Sequence, residues 1–303
     1  MDNNIDFSVI IPHRNSIALL PKLLNSIPES DRIEVILVDN SPTPIIKENV
    51  GVTRDFHLLY SAPERGAGGA RNEGIKNAHG RWLLFADADD YYAEGAFDIF
   101  YKYIQEKAEI IYFCAEGIYI DTGQRSTRGD HYTHLVQGYL AGEIVENKLR
   151  LEFHVPWAKM VSKELVDRKG LWYDEVVASN DEYFSLLSGY YAKKIIAVDQ
   201  IVYIVTVSEG SLTKRLDKDV ILSRFAVHLR CNKFIKQHKL PEYQKSIMNY
   251  LCQSLRFGLK PFLNCCGLLI KYRQNPFVGW RNWGSTIASL IQSYKKDSIY
   301  YIK

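Results

Sequence analysis

The stretch Trp82-Leu83-Leu84-Phe85-Ala86-Asp87-Ala88-Asp89-Asp90 sets a short apolar run directly against three carboxylates. The run reads as a buried strand, and the abrupt change to acid puts its end in a polar loop. Packing does not account for Asp87, Asp89 and Asp90, because clustered carboxylates repel one another. They make sense around a hard divalent cation, Mg²⁺ or Mn²⁺, that shares phosphate oxygens with a ligand. The competing reading is an acidic turn at the start of the helix after Tyr91.

Upstream, Phe7-Ser8-Val9-Ile10-Ile11 stops at Pro12, and Glu34 to Val38 stops at Asp39-Asn40-Ser41-Pro42. Both read as strands ending in loops. Between them Ser16 is a candidate cap for a helix bearing Leu19, Leu20, Leu23, Leu24 and Ile27, with Pro28 as its stop. His57 to Tyr60 reads as another strand, and Gly66 to Ala78 as a glycine-rich start of a helix leading to Trp82. Strands alternating with helices predict an α/β fold, a mostly parallel sheet with helices on both faces. Ligands of such sheets gather beyond the carboxyl ends of the strands, where Pro12, His13, Arg14, Asp39 and Asp87 to Asp90 fall.

Downstream the pattern gives a helix near Glu94 to Gln105, a strand from Ile110 to Cys114 and a loop from Asp121 to Asp130. A helix follows near Lys163 to Arg168 and another begins at Ser179. From Ile221 the chain reads as mainly helical, with Phe225, Leu229, Phe234, Ile235, Ile247, Leu251, Leu255 and Leu259 near helical spacing.

With 303 residues, 47% hydrophobic and 24% charged, the chain has material for one large or two modest domains and is not disordered. No window approaches the roughly 18 apolar residues of a membrane span. Met1 to Asp6 is acidic rather than a basic leader, which points to a cytoplasmic chain. The five cysteines form no C-x-x-C pair and read as buried free thiols. The net charge of +3 conceals a split. Residues 1–210 carry 21 basic and 31 acidic groups, and residues 211–303 carry 17 and 4. The basic part reads either as a solvated helical surface or as a peripheral membrane contact. Lys260, Lys271, Arg273, Arg281, Lys295 and Lys296 lie there among Phe262, Leu268, Leu269, Ile270, Trp280, Trp283 and Tyr294. No nucleic-acid motif accompanies the charge.

There is no G-x-x-x-x-G-K-[ST] loop, and Gly66-Ala67-Gly68-Gly69-Ala70 lacks the strand and spacing of a dinucleotide fingerprint, which disfavours a simple nucleotide hydrolase. These glycines permit close backbone approach, and the fork of Arg71 suits a diphosphate, or else Arg71 is a surface arginine. Asp39 can accept hydrogen bonds from a base or ribose, or form an Asx turn. In Ser179-Asn180-Asp181-Glu182 the S-x-x-E pattern gives Glu182 a capping role and leaves Asp181 free to act as a general base.

Taken in order, Ser8-Val9-Ile10-Ile11-Pro12, Leu37-Val38-Asp39-Asn40-Ser41, Gly69-Ala70-Arg71-Asn72-Glu73-Gly74, Phe85-Ala86-Asp87-Ala88-Asp89-Asp90 and Asn180-Asp181-Glu182-Tyr183-Phe184 resemble the family 2 glycosyltransferases. The resemblance covers about residues 6–210. It implies an inverting enzyme of the GT-A fold over residues 1–210, and charge and helical spacing make 211–303 a basic, mainly helical region.

By the same resemblance Pro12, His13, Arg14 and Asp39 hold the nucleotide, and Arg71 lies near its phosphates. Asp87-Ala88-Asp89 is the D-x-D element, with Asp87 near the ribose and Asp89 on the metal. Asp181 is the base, and Asn180 stands where the family has Glu. Pro156-Trp157-Ala158-Lys159-Met160 matches a W-x-K segment. Trp157 there is either a sugar platform or a core residue, and Lys159 and Glu182 are candidate acceptor contacts. The Q-x-x-R-W signature of processive synthases is absent, so one sugar per encounter is expected.

The implied donor is a nucleotide diphosphate sugar, a UDP-sugar first. The implied acceptor is a glycan or lipid-linked glycan of cell-surface polysaccharide synthesis, at the inner face of the membrane. Two alternatives are a sugar-phosphate nucleotidyltransferase, though Ile11 to Asn15 lacks the glycine-rich loop expected of one, and a non-catalytic nucleotide-sugar binding protein.

Overall fold

The computed structural model describes residues 5–207 and 216–278. They divide into two units. The larger takes in residues up to Val176 and from Asn180 to Val207, and the smaller takes in Val177–Ser179 and residues 216–278.

In the larger unit β1 (Phe7–His13) is buried along its whole length, as a β-branched strand with parallel partners on both sides must be. Chain reversal follows through a short 3₁₀ turn and α1 (Leu20–Asn25), which buries Leu20, Leu23 and Leu24. The Ser16 cap expected from sequence is not made. The Ser16 hydroxyl donates to the Arg14 carbonyl, and its amide goes to His13. Next come β2 (Ile33–Asp39), β3 (His57–Tyr60), α2 (Gly66–Asn77), β4 (Trp82–Phe85), β5 (Tyr91–Tyr92) and α3 (Ala96–Tyr103). They are followed by β6 (Ile110–Tyr119), β7 (Arg125–Ser126), α4 (Asp130–Leu140), α5 (Glu146–Glu152), β8 (Lys159–Ser162), α6 (Lys163–Lys169), α7 (Glu182–Tyr191) and β9 (Ile195–Val207).

One sheet holds all nine strands in the order β3-β2-β1-β4-β8-β6-β9-β5, with β7 paired to β6. The first four are parallel, as the strand and helix alternation predicts, and β6 and β9 are also parallel. The rest is mixed. The four-residue β8 is wedged antiparallel between β4 and β6, and β5 and β7 run antiparallel to β9 and β6. Parallel pairing sets the carboxyl ends of β1, β2 and β4 on one edge, and His13 pairs with Asp39 in register.

Two glycines of α2 are needed for protein contact. A Cβ on Gly74 would lie 2.4 Å from Ile10 Cγ2, and one on Gly68 would lie 2.0 Å from the Asp174 carbonyl oxygen. The close approach read into this segment is therefore taken up by the chain itself.

The smaller unit contains α8 (Lys218–Gln237), α9 (Met248–Ser254) and α10 (Leu259–Tyr272). Asp217 caps α8 by accepting from the Val220 amide at 3.2 Å. Phe225, Leu229, Ile247, Leu251, Cys265 and Leu269 form its core. Leu255 and Leu259, which share the helical spacing, are instead 46% and 68% exposed. All five cysteines are free. No helix among the described residues is long and apolar enough to cross a membrane.

Candidate active site

The carboxyl edge of the sheet gathers most of the expected residues. From β1, Pro12 and His13 are buried and Arg14 is exposed, its guanidinium donating to the Pro63 carbonyl at 2.8 Å. His13 faces inward. Its Nε2 accepts the Ser16 amide at 3.0 Å, so the ring proton sits on Nδ1 and is donated to Asp39 at 2.9 Å. Asp39 Oδ1 also accepts from the Ser41 amide and hydroxyl, and Oδ2 accepts from the Ile45 amide. Burial works to raise the Asp39 carboxyl, but these bonds, led by the Ser41 hydroxyl, outweigh it and hold the group below the usual range. These bonds make the Asx turn among its two readings, and Asp39 is a 2% exposed fastener of the loop after β2.

Asp87 and Asn180, the neighbour of Asp181, meet through Arg71. The buried guanidinium donates from Nη2 to Asp87 Oδ1 at 2.5 Å and from Nη1 to Asn180 Oδ1 at 2.6 Å. Its carbon lies 5.2 Å from the centroid of the Tyr173 ring. One N–H of each Nη is thus engaged inside the protein, and the guanidinium has further N–H donors. Asn180, the departure from the family pattern, is the acceptor that Arg71 needs at this point.

α7 begins at Glu182, with Asp181 at the N-cap and no capping bond from its side chain. Ser179 instead takes a left-handed φ of 59°. The helix thus starts three residues after Ser179 rather than at it, and Glu182 is its half-buried first residue. The half-buried Asp181 is pushed up to about 6, chiefly by desolvation, with Glu182 and Asp87 adding to the rise and Arg71 opposing it.

Beyond β4, Ala88 is buried, Asp87 half-buried and Asp89 exposed. Desolvation by the packing beneath Asp89 and the Asp87 charge raise its carboxyl, against Arg128. Asp90 is 2% exposed and accepts the Thr206 amide at 2.7 Å. Burial holds it well above the usual range. The supports of this loop come from β9 and carry no local sequence signal. The Asp87 amide donates to the Tyr203 hydroxyl at 2.9 Å, and the Thr206 hydroxyl donates to the Asp89 carbonyl at 2.7 Å.

Trp157 and Lys159 are not at the surface. Trp157, 2% exposed, stacks on Tyr203 with 5.5 Å between centroids and meets Tyr132 edge-on. It is a core residue that braces the partner of the Asp87 amide, and it offers no face to a sugar. Lys159 is also 2% exposed, with Nζ donating to the Ser185 hydroxyl at 3.0 Å. That burial lowers its ammonium to about 7 against the pull of Asp181. The family description Glycosyl transferase family 2 matches residues 8–168, more than half of the chain.

The chain belongs to glycosyl transferase family 2. Among the curated relatives of this family 2 glycosyltransferase is EpsH of Bacillus subtilis (strain 168), 22% identical over 232 residues. That alignment covers 73% of this chain and 66% of EpsH, so the chain spans a little under two thirds of that relative. Among solved structures, S. aureus TarS 1-349 in complex with UDP-GlcNAc superposes with a TM-score of 0.66 at 18% identity. The match covers 88% of this chain and 81% of that one. The mannosyltransferase PcManGT from Pyrobaculum calidifontis, in complex with GDP-Man and Mn²⁺, gives 0.58 at 17% identity over 100% and 89%. At such identities the likeness is one of fold, and the GT-A architecture read from the motifs is the architecture observed.

Among the described residues of the glycosyltransferase no group of three or more His, Cys, Asp or Glu side chains is arranged to hold a metal. The residues fit a divalent cation in a different way. Asp89 offers an exposed hard-oxygen donor beside Asp87, which suits a cation that takes its remaining ligands from substrate phosphates and water.

Proposed function

We propose that residues 1–210 transfer a single sugar from a nucleotide diphosphate sugar to an acceptor hydroxyl, with inversion at the anomeric carbon. The observation that carries this reading is Asp181, a carboxylate pushed up to about 6 in the cluster held by Arg71 and Asp87. A general base works best with a value near the operating pH. Asp181 takes the acceptor proton as that oxygen attacks the anomeric carbon, and the bond from that carbon to the diphosphate oxygen breaks. Arg71 holds the Asp87 loop against Asn180 and sets positive charge beside the place where the leaving diphosphate gathers negative charge. Mg²⁺ or Mn²⁺ held by Asp89 and Asp87 would supply Lewis-acid stabilisation of the phosphate oxygens.

Exposed Arg14 is the member of the β1 group that remains available to the nucleotide. The complexes of TarS with UDP-GlcNAc and of PcManGT with GDP-Man and Mn²⁺ support a nucleotide-sugar donor and a divalent cation. The UDP-sugar is our first choice. We assign the acceptor to the glycans or lipid-linked glycans of cell-surface polysaccharide synthesis, with the enzyme in the cytoplasm at the inner face of the membrane. TarS, named a poly(ribitol-phosphate) beta-N-acetylglucosaminyltransferase, supports a polymeric acceptor.

Incubation with UDP-GlcNAc and Mn²⁺ tests the reading. Release of UDP without pyrophosphate is expected. Pyrophosphate release from UTP and N-acetylglucosamine 1-phosphate in a parallel incubation would favour the nucleotidyltransferase, and donor binding with no release of UDP or pyrophosphate would favour the non-catalytic protein.

A further inference from the structure

The helix α10 (Leu259–Tyr272) is apolar on two faces. Pro261, Cys265 and Leu269 recur every four residues and are buried against the smaller unit's core. Leu259, Leu263 and Ile270 form a second stripe at i, i+4 and i+11, and they are 68%, 58% and 79% exposed. Gly267 lies on the same line, and a Cβ added there would meet nothing within 4 Å. Leu255, 46% exposed, and Phe277, 55% exposed, flank the helix in sequence. Among the described residues nothing covers this stripe. A helix that is apolar beyond its packed face marks an interaction surface.

The charges around the stripe select the partner. Lys260 and Lys271 are exposed, and at about 100° per residue they lie together on one side of the stripe. The exposed Arg273 ends the helix. From Tyr243 to Lys296 the sequence has no acidic residue. A second copy of the same face would set lysine against lysine, which disfavours self-association. Apolar side chains that enter a layer while neighbouring lysines meet negative headgroups are the chemistry of an in-plane interfacial helix, and α10 is too short to span.

We propose that the exposed face of α10 docks on an anionic lipid surface through Leu259, Leu263 and Ile270, with Lys260, Lys271 and Arg273 against the headgroups. The proposal goes beyond sugar transfer and does not depend on it. Arg281, Lys295, Lys296, Trp280, Trp283 and Tyr294, which contribute to the basic and aromatic composition, lie outside the described residues.

Flotation of the full chain with vesicles tests this. The wild type is expected to float with phosphatidylcholine vesicles containing about 30% phosphatidylglycerol and to stay behind with phosphatidylcholine alone. Leu263→Glu with Ile270→Glu is expected to lower the floated fraction roughly tenfold, with the circular dichroism spectrum and melting temperature retained because both positions are exposed. Lys260→Ala with Lys271→Ala is expected to bind more weakly at low salt and to lose part of the salt sensitivity. Equal flotation with both vesicle types, no flotation of the wild type, or unchanged flotation of the glutamate variant would overturn the proposal. So would a dimer in sedimentation equilibrium that the glutamate variant dissociates, since that would assign the stripe to a second copy.

Discussion

Arg71 and Asp87, sixteen residues apart in sequence, are joined by a 2.5 Å bond from Nη2 to Oδ1 with the guanidinium almost wholly buried. Desolvation works against the charge of Arg71, and Asp87, Tyr173 and Asp181 together outweigh it, so the net effect raises the group above its ordinary value. The pair brings the end of β4 to the start of α7, because the other Nη of the same guanidinium holds Asn180.

Arg71→Lys is therefore not conservative. One ammonium cannot reproduce a planar fork with two fixed acceptors. We expect donor affinity to fall roughly tenfold or more and stability to fall by about 2 kcal/mol, as a buried partner goes unmet. Calorimetric titration with UDP and a thermal melt read the two effects. An unchanged affinity would remove Arg71 from the organisation of the site.

Asp89 and Asp90 are adjacent but separable. Asp89→Ala leaves the Thr206 hydroxyl bonded to the main-chain carbonyl of residue 89, so the fold is expected to survive while the Mn²⁺-dependent gain in nucleotide affinity disappears. Asp90→Ala leaves the buried Thr206 amide without an acceptor and should cost about 1–3 kcal/mol. Asp90→Asn keeps that acceptor and removes a carboxyl that burial already disfavours as an anion, so its melting temperature should equal or exceed that of the wild type. Melting curves with and without Mn²⁺ distinguish the three.

Lys159 sets a pH dependence of stability. Burial lowers its ammonium from 10.5 to about 7, so between those values the unfolded chain binds the extra proton and stability from this group rises with pH. Lys159→Met abolishes the contribution. The stability of the wild type relative to the variant should increase by about 2 kcal/mol from pH 7 to pH 9. A constant difference in denaturant titrations at the two pH values would show that the ammonium is not perturbed.

Trp157 tests whether a buried ring acts on donor binding from behind. Trp157→Ala removes the stack on Tyr203, whose hydroxyl accepts the Asp87 amide. We expect a loss of about 3–5 kcal/mol of stability. Trp157→Phe fills most of the space and should keep the KM for any acceptor. A selective rise in acceptor KM for the phenylalanine variant would restore Trp157 as a sugar platform.

The strands and the acid-bearing loop were legible because they rest on local pattern. β1, β2 and β4 are short apolar runs that end in polar residues, and periodicity reports that directly. Occupancy was not legible. The Asx turn at Asp39 was one of two local readings, but nothing near it in sequence points to His13, 26 residues away, and nothing near Asp87 or Asp90 points to Tyr203 and Thr206, each 116 residues away. The helix start was misplaced for a related reason. Ser179 has the right spacing, but its left-handed backbone delays the helix to Glu182 and leaves the Asp181 side chain uncommitted to the cap.

The central claim is that Asp181 removes the acceptor proton. A folded value near 6 means that the carboxyl is protonated, and the base lost, as pH falls below that value. The same rise makes the charged form a cost to the fold above it, so Asp181→Asn should gain about 1 kcal/mol at pH 7 after allowance for solvent screening. The most direct measurement is the pH profile of UDP release from UDP-GlcNAc with Mn²⁺, for the wild type and for Asp181→Asn. The account predicts a wild-type rate that rises through about pH 6, and a variant slower by roughly 10²-fold or more, without that limb and with donor affinity retained. A variant that matches the wild type in rate and profile would contradict it.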